Sequence, residues 1–106
     1  MKRFDLYCMI FLTMDHYWDI HKGERLGQFL SSMNPYLFEG EGSAVPEYYR
    51  RFCKMVDDRE IELDESYRLA NVYIECIGDG FVKEAFGWVD EETWIRKCEK
   101  YLESDE

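Results

Sequence analysis

Apolar positions recur at helical rather than strand spacing over most of the chain. Phe4, Tyr7, Phe11, Met14 and Trp18 make one stripe, and Leu6, Ile10, Tyr17 and Ile20 a second. Residues 4–20 therefore predict a helix apolar almost all round, as a central helix is. Aromatic and β-branched content keeps a strand open as the alternative, but a run of about four to five turns favours helix. Leu26, Phe29, Leu30 and Met33 predict a second helix over 24–33, stopped by Asn34-Pro35 because the residue before proline leaves the α region. A third starts within "SAVPEYYRRFCKMV", with Pro46 at the first helical position. Val45 is a poor cap there, so Ser43 is the candidate helper. A fourth helix is expected from an Asp64 cap through Leu69, Val72, Tyr73, Cys76 and Ile77, to a stop at "GDG". "FVKEAFGWV" predicts a short helical turn. The last helix is capped by Asp90 and patterned by Trp94, Ile95, Cys98, Tyr101 and Leu102, with residues 103–106 as a frayed tail. The pattern is that of an all-α fold, one compact domain over 1–106 with about five or six helices and no repeat.

The connection between the second and third helices is unusually apolar. Tyr36, Leu37 and Phe38 predict a hydrophobic latch folded onto the core, leaving Glu39, Gly40 and Glu41 as the tip an outside partner would touch.

Composition fits this picture. Apolar residues at 46% and aromatics at 17% supply a core and argue against disorder. Charge adds an asymmetry to the net −10. Residues 1–53 carry six basic and seven acidic groups, and residues 54–106 seven basic and sixteen acidic, so the second half holds nearly all the excess. A field of that sign repels nucleic acid and anionic membranes and draws a basic protein. Solubility alone is the plainer reading of the same charge. Asp57, Asp58, Glu60, Glu62, Asp64 and Glu65 are packed into nine residues, either a solvated loop with a cap or a docking patch.

Other chemistry is weakly signalled. Cys8, Cys53, Cys76 and Cys98 form no CxxC pair and sit in apolar segments, as reduced thiols of a cytosolic protein do. The apolar run Leu6–Met14 has the length of a signal-peptide core, but no small-residue cleavage site follows, so it reads as buried core. Asp15, His16, Asp19 and His21 are the one candidate metal group; the two histidines point roughly 140° apart on a helix, a poor clamp. No nucleophile elbow or phosphate-binding glycine loop is present. Arg50, Arg51 and Lys54 form the only basic cluster, expected to pair with acids or rim a surface.

One stretch carries a resemblance. "LGQFLSSMNPYLFEGEGSAVP" resembles the pattern LG-x-FLS-x-x-NP-x-LF, then a loop, then GSA-x-P, in small acidic bacterial proteins. Leu26, Gly27, Phe29, Leu30, Ser31, Asn34, Pro35, Leu37, Phe38, Gly42, Ser43, Ala44 and Pro46 match it; Val45 departs, standing where an acidic cap is usual. Such proteins look like immunity proteins of polymorphic toxin systems, including contact-dependent growth inhibition. The resemblance spans about a quarter of the chain and implies binding and blocking a cognate toxin, often a nuclease.

The expectation is a non-enzymatic, cytoplasmic toxin-neutralising protein with no cofactor, metal, nucleic-acid or membrane partner. Asp57, Asp58, Glu60, Glu62 and Glu65 would steer a basic toxin. Tyr48, Tyr49 and Trp88 are candidate anchors, with core packing expected of at least one, and Glu39 and Glu41 are loop contacts. The alternatives are a regulatory adaptor or nucleic-acid mimic that binds a basic protein, and a small metal-dependent hydrolase.

Overall fold

The computed structural model describes residues 1–37 and 39–104, Ser104 by its backbone alone. Among these are six α-helices and no strand: α1 (Arg3–His21), α2 (Glu24–Met33), α3 (Pro46–Met55), α4 (Leu63–Ile77), α5 (Gly80–Gly87) and α6 (Glu91–Ser104). A single 3₁₀ turn, Pro35–Leu37, follows α2. The all-α expectation holds, and the first segment is helix rather than strand.

The near-uniform apolarity of α1 is explained by its place. Leu6 to Phe11, Thr13 and Met14 are all buried, and α2, α3, α4 and α5 pack around it. Tyr7 is the hub. Its ring meets Tyr49, Phe52 and Tyr73 within 6.2 Å, and its hydroxyl donates to the Met33 carbonyl at 2.8 Å. Burial pushes its phenol well above the usual range.

α6 packs mainly on α4. Fully buried Trp94 stacks edge-on to Phe86 at 5.4 Å and donates its indole N–H to Ser66 Oγ at 2.9 Å. Burying an aromatic of this size contributes about 1.5–3 kcal/mol, and the hydrogen bond removes the penalty of a buried N–H.

Four element boundaries differ from expectation or refine it. The cap of α4 is Glu62, two residues before Asp64; its backbone N–H donates to Glu65 Oε1 at 3.2 Å. Ser43 does help α3: Oγ accepts the Tyr49 N–H at 3.1 Å and donates to the Val45 carbonyl at 2.6 Å. Gly78 ends α4 in the left-handed region that glycine favours, φ 80°. The predicted frayed tail is partly helix, since α6 runs through Ser104, while residues 105 and 106 lie outside the described residues.

Candidate functional site

Among the described residues, the exposed large hydrophobics are Ile20, Tyr36, Leu37, Val45, Val72 and Trp88. Two of them, Ile20 and Trp88, border one face between α1 and α6, and a third, Tyr36, reaches that face through Tyr101.

The face exists because α6 leans on α4 rather than on α1. A groove of about 520 Å³ lies between α1 and α6, walled by Leu12, Asp15 and His16 on one side and by Lys97, Lys100 and Tyr101 on the other. Positions 97, 100 and 101 share one face of α6. His16, Asp19 and Lys97 continue into a second hollow of about 530 Å³ that is bordered by Ile20 and Trp88.

Trp88 is half anchored. Its indole N–H donates to the Thr13 carbonyl at 3.1 Å, Tyr17 meets its ring at 6.2 Å, and Lys97 Nζ stands 4.9 Å from its centroid. The rest of the ring faces solvent, leaving 41% of the residue exposed. Ile20, in the last turn of α1, is 66% exposed. The stripe pattern predicts it buried, but it stands in the last turn of α1 beside an open hollow.

In the loop after α2, Tyr36 and Leu37 are 57% and 68% exposed. This overturns the latch expectation for both, and Phe38 lies outside the described residues. The cause is the loop's closure. Ala44 N donates to Asn34 O at 3.0 Å and Val45 N to Ser32 O at 2.9 Å, so the base is clamped and the tip pushed outward. Pro35, Gly42 and Ser43 are the buried part. Tyr36 keeps an edge contact to Phe11 at 6.0 Å and reaches Tyr101, which links the loop to the groove. Glu39 and Glu41 are exposed on the same tip.

The other anticipated contacts fall elsewhere. Tyr49 is core, packed on Phe4, Tyr7 and Phe52, and is not available as an anchor. Tyr48 is half-buried against Phe29 in a separate cleft. The acidic run divides between structure and surface. Glu62 caps α4, Glu65 pairs with Arg59, and Glu60 Oε1 lies 3.4 Å from the N-terminal ammonium. The Arg59 hydrogen bond holds the Glu65 carboxyl below the usual range. Asp57 and Asp58 are exposed. This run sits at the start of α1, roughly 15 Å along the helix axis from the Thr13 carbonyl that Trp88 bonds and roughly 25 Å from Ile20.

In the α1 polar group, His21 stacks on Tyr17 at 4.2 Å, and among the described residues no three His, Cys, Asp or Glu side chains are placed to hold a metal. Asp15 has its carboxyl pushed above the usual range, by burial first and by Asp19 second. Cys98 is buried and its thiol pushed up to about 12. None of the four cysteines forms a disulfide. Among the described residues no helix is long and apolar enough to cross a membrane.

The sequence singles out Trp88, Glu39 and Glu41, which are exposed, but not the α6 wall. The spacing of Lys97, Lys100 and Tyr101 was the available signal. No protein-family model, curated protein or solved structure matches the chain.

Proposed function

We propose that this chain is a non-enzymatic protein-binding module that neutralises a basic toxin protein, in the manner of the immunity proteins its Leu26–Pro46 stretch resembles. The observation that carries this reading is the pairing of exposed Ile20 and Trp88 along one mixed-charge groove, which Tyr36 reaches through Tyr101. Contiguous exposed apolar surface rimmed by polar groups marks interaction sites, and tryptophan and tyrosine dominate interface energetics. Lys97, Lys100, Asp15 and Asp19 supply the rim, and the exposed loop acids Glu39 and Glu41 offer further contacts. Asp57 and Asp58, at the far end of α1, belong to long-range steering rather than to direct contact.

The test is co-expression with the product of the neighbouring gene, as the candidate toxin. Toxicity is expected to fall to background, with a stable complex on copurification. A folded toxin that neither binds nor is neutralised overturns the reading.

A further inference from the structure

A second cleft lies away from the α1–α6 face, between α3 and α4. Its volume of about 480 Å³ is within the usual range for small-ligand sites, roughly 300–1,000 Å³. The floor is aromatic and aliphatic: Phe29, Tyr48 and Tyr73, extended by Met55 and Ile77. Tyr73 is buried and its hydroxyl is turned to the Tyr48 carbonyl at 3.4 Å, so it presents ring rather than polar tip.

One wall carries two cations. Arg51 and Lys54 are three residues apart on α3 and therefore neighbours on one helix face. Arg50 beside them is paired with Glu47 at 2.7 Å, but among the described residues neither Arg51 nor Lys54 forms an ion pair. Lys54 in the last turn also complements the helix dipole; Arg51, a turn earlier, has no such role. Two adjacent unpaired cations over an aromatic floor are notable in a chain of net charge −10. Asp79, the one carboxylate in the lining, disfavours a second anionic group.

We infer that this cleft binds an amphiphilic monoanion, an aromatic or long-chain carboxylate, with its apolar body on the Phe29–Tyr48–Tyr73 floor and its carboxylate between Arg51 and Lys54. The guanidinium and ammonium donate charge-assisted hydrogen bonds to the carboxylate. The inference is independent of toxin binding, which uses the opposite set of residues.

The probe is 8-anilinonaphthalene-1-sulfonate, an aromatic monoanion, displaced by laurate. One saturable site is expected. The double variant Arg51→Ala/Lys54→Ala should weaken it at least about tenfold, the loss typical of charged hydrogen bonds. Both side chains are exposed, so helix content should not change. An uncharged analogue, N-phenyl-1-naphthylamine, should lose less than about twofold, because the floor remains. Exposed Cys76 lines the cleft and serves as a reporter: saturating laurate should slow its alkylation by iodoacetamide. Absence of saturable binding, equal affinity in the double variant, or unprotected Cys76 overturns the inference.

Discussion

Trp88 donates its indole N–H to the Thr13 carbonyl at 3.1 Å, bridging the α5–α6 turn to the middle of α1. The bond fixes one edge of the ring and leaves the other to solvent. A ring held this way is pre-oriented, which would lower the entropy cost of using it in the proposed interface.

Trp88→Phe keeps a ring and removes the N–H. The Thr13 carbonyl loses this bond but keeps its helical one, so the variant should lose about 1 kcal/mol of stability. Urea unfolding measures it; an unchanged midpoint would mean the bond contributes nothing.

Trp94 and Ser66 make a buried pair, so their effects should couple. Trp94→Ala should cost about 3–5 kcal/mol. Ser66→Ala leaves the indole N–H unsatisfied and should cost about 1–3 kcal/mol. In a double-mutant cycle with Trp94→Phe, Ser66→Ala should cost much less, since no N–H remains to be orphaned.

Two helical glycines should respond with opposite sign. A Cβ at Gly27 would meet Trp18 Nε1 at 3.0 Å, the same atom that donates to the Gly23 carbonyl. Gly27→Ala should therefore destabilise, by about 1 kcal/mol or more. Gly87 has nothing within 4 Å of the added carbon. Gly87→Ala should stabilise by about 0.4–1 kcal/mol through the unfolded chain. Thermal unfolding of the two variants side by side decides this.

Asp15 gives a pH signature. Its folded carboxyl titrates above its unfolded value, through burial and then Asp19, opposed by His16 and Lys22. A raised acid contributes stability that is fully present below the unfolded value, about pH 4, and is lost as pH rises through the folded one. Asp15→Asn should thus be more stable than the parent at pH 7, and the gap should close toward pH 3. A gap that widens on acidification would contradict the assignment.

How much of this was legible in the sequence depends on the kind of signal. Helices with strong periodicity and local punctuation were readable, because Asn34-Pro35, Pro46, Gly78 and Asp90 act through their own backbone and side-chain chemistry. Asp90 Oδ1 does accept the Thr93 N–H at 2.8 Å. The α4 cap was misplaced because Glu62 and Asp64 both precede the apolar stripe, and local rules favour the aspartate. Exposure was the poorly readable part. Ile20, Tyr36 and Leu37 are as apolar as core residues, and only the end of the α1 packing and the clamped loop base put them outside. The groove needs α6 to lean on α4, a tertiary choice that no single segment records.

The most direct measurement is the affinity of the chain for the proposed toxin partner, sought as the product of a neighbouring gene, compared with that of Trp88→Ala/Ile20→Ser and Asp57→Asn/Asp58→Asn. The first double variant should weaken binding at least about a hundredfold through faster dissociation, as loss of central anchors does. The second should mainly slow association, with the effect fading as salt rises. Tight binding that survives Trp88→Ala/Ile20→Ser unchanged would contradict the assignment of the α1–α6 face.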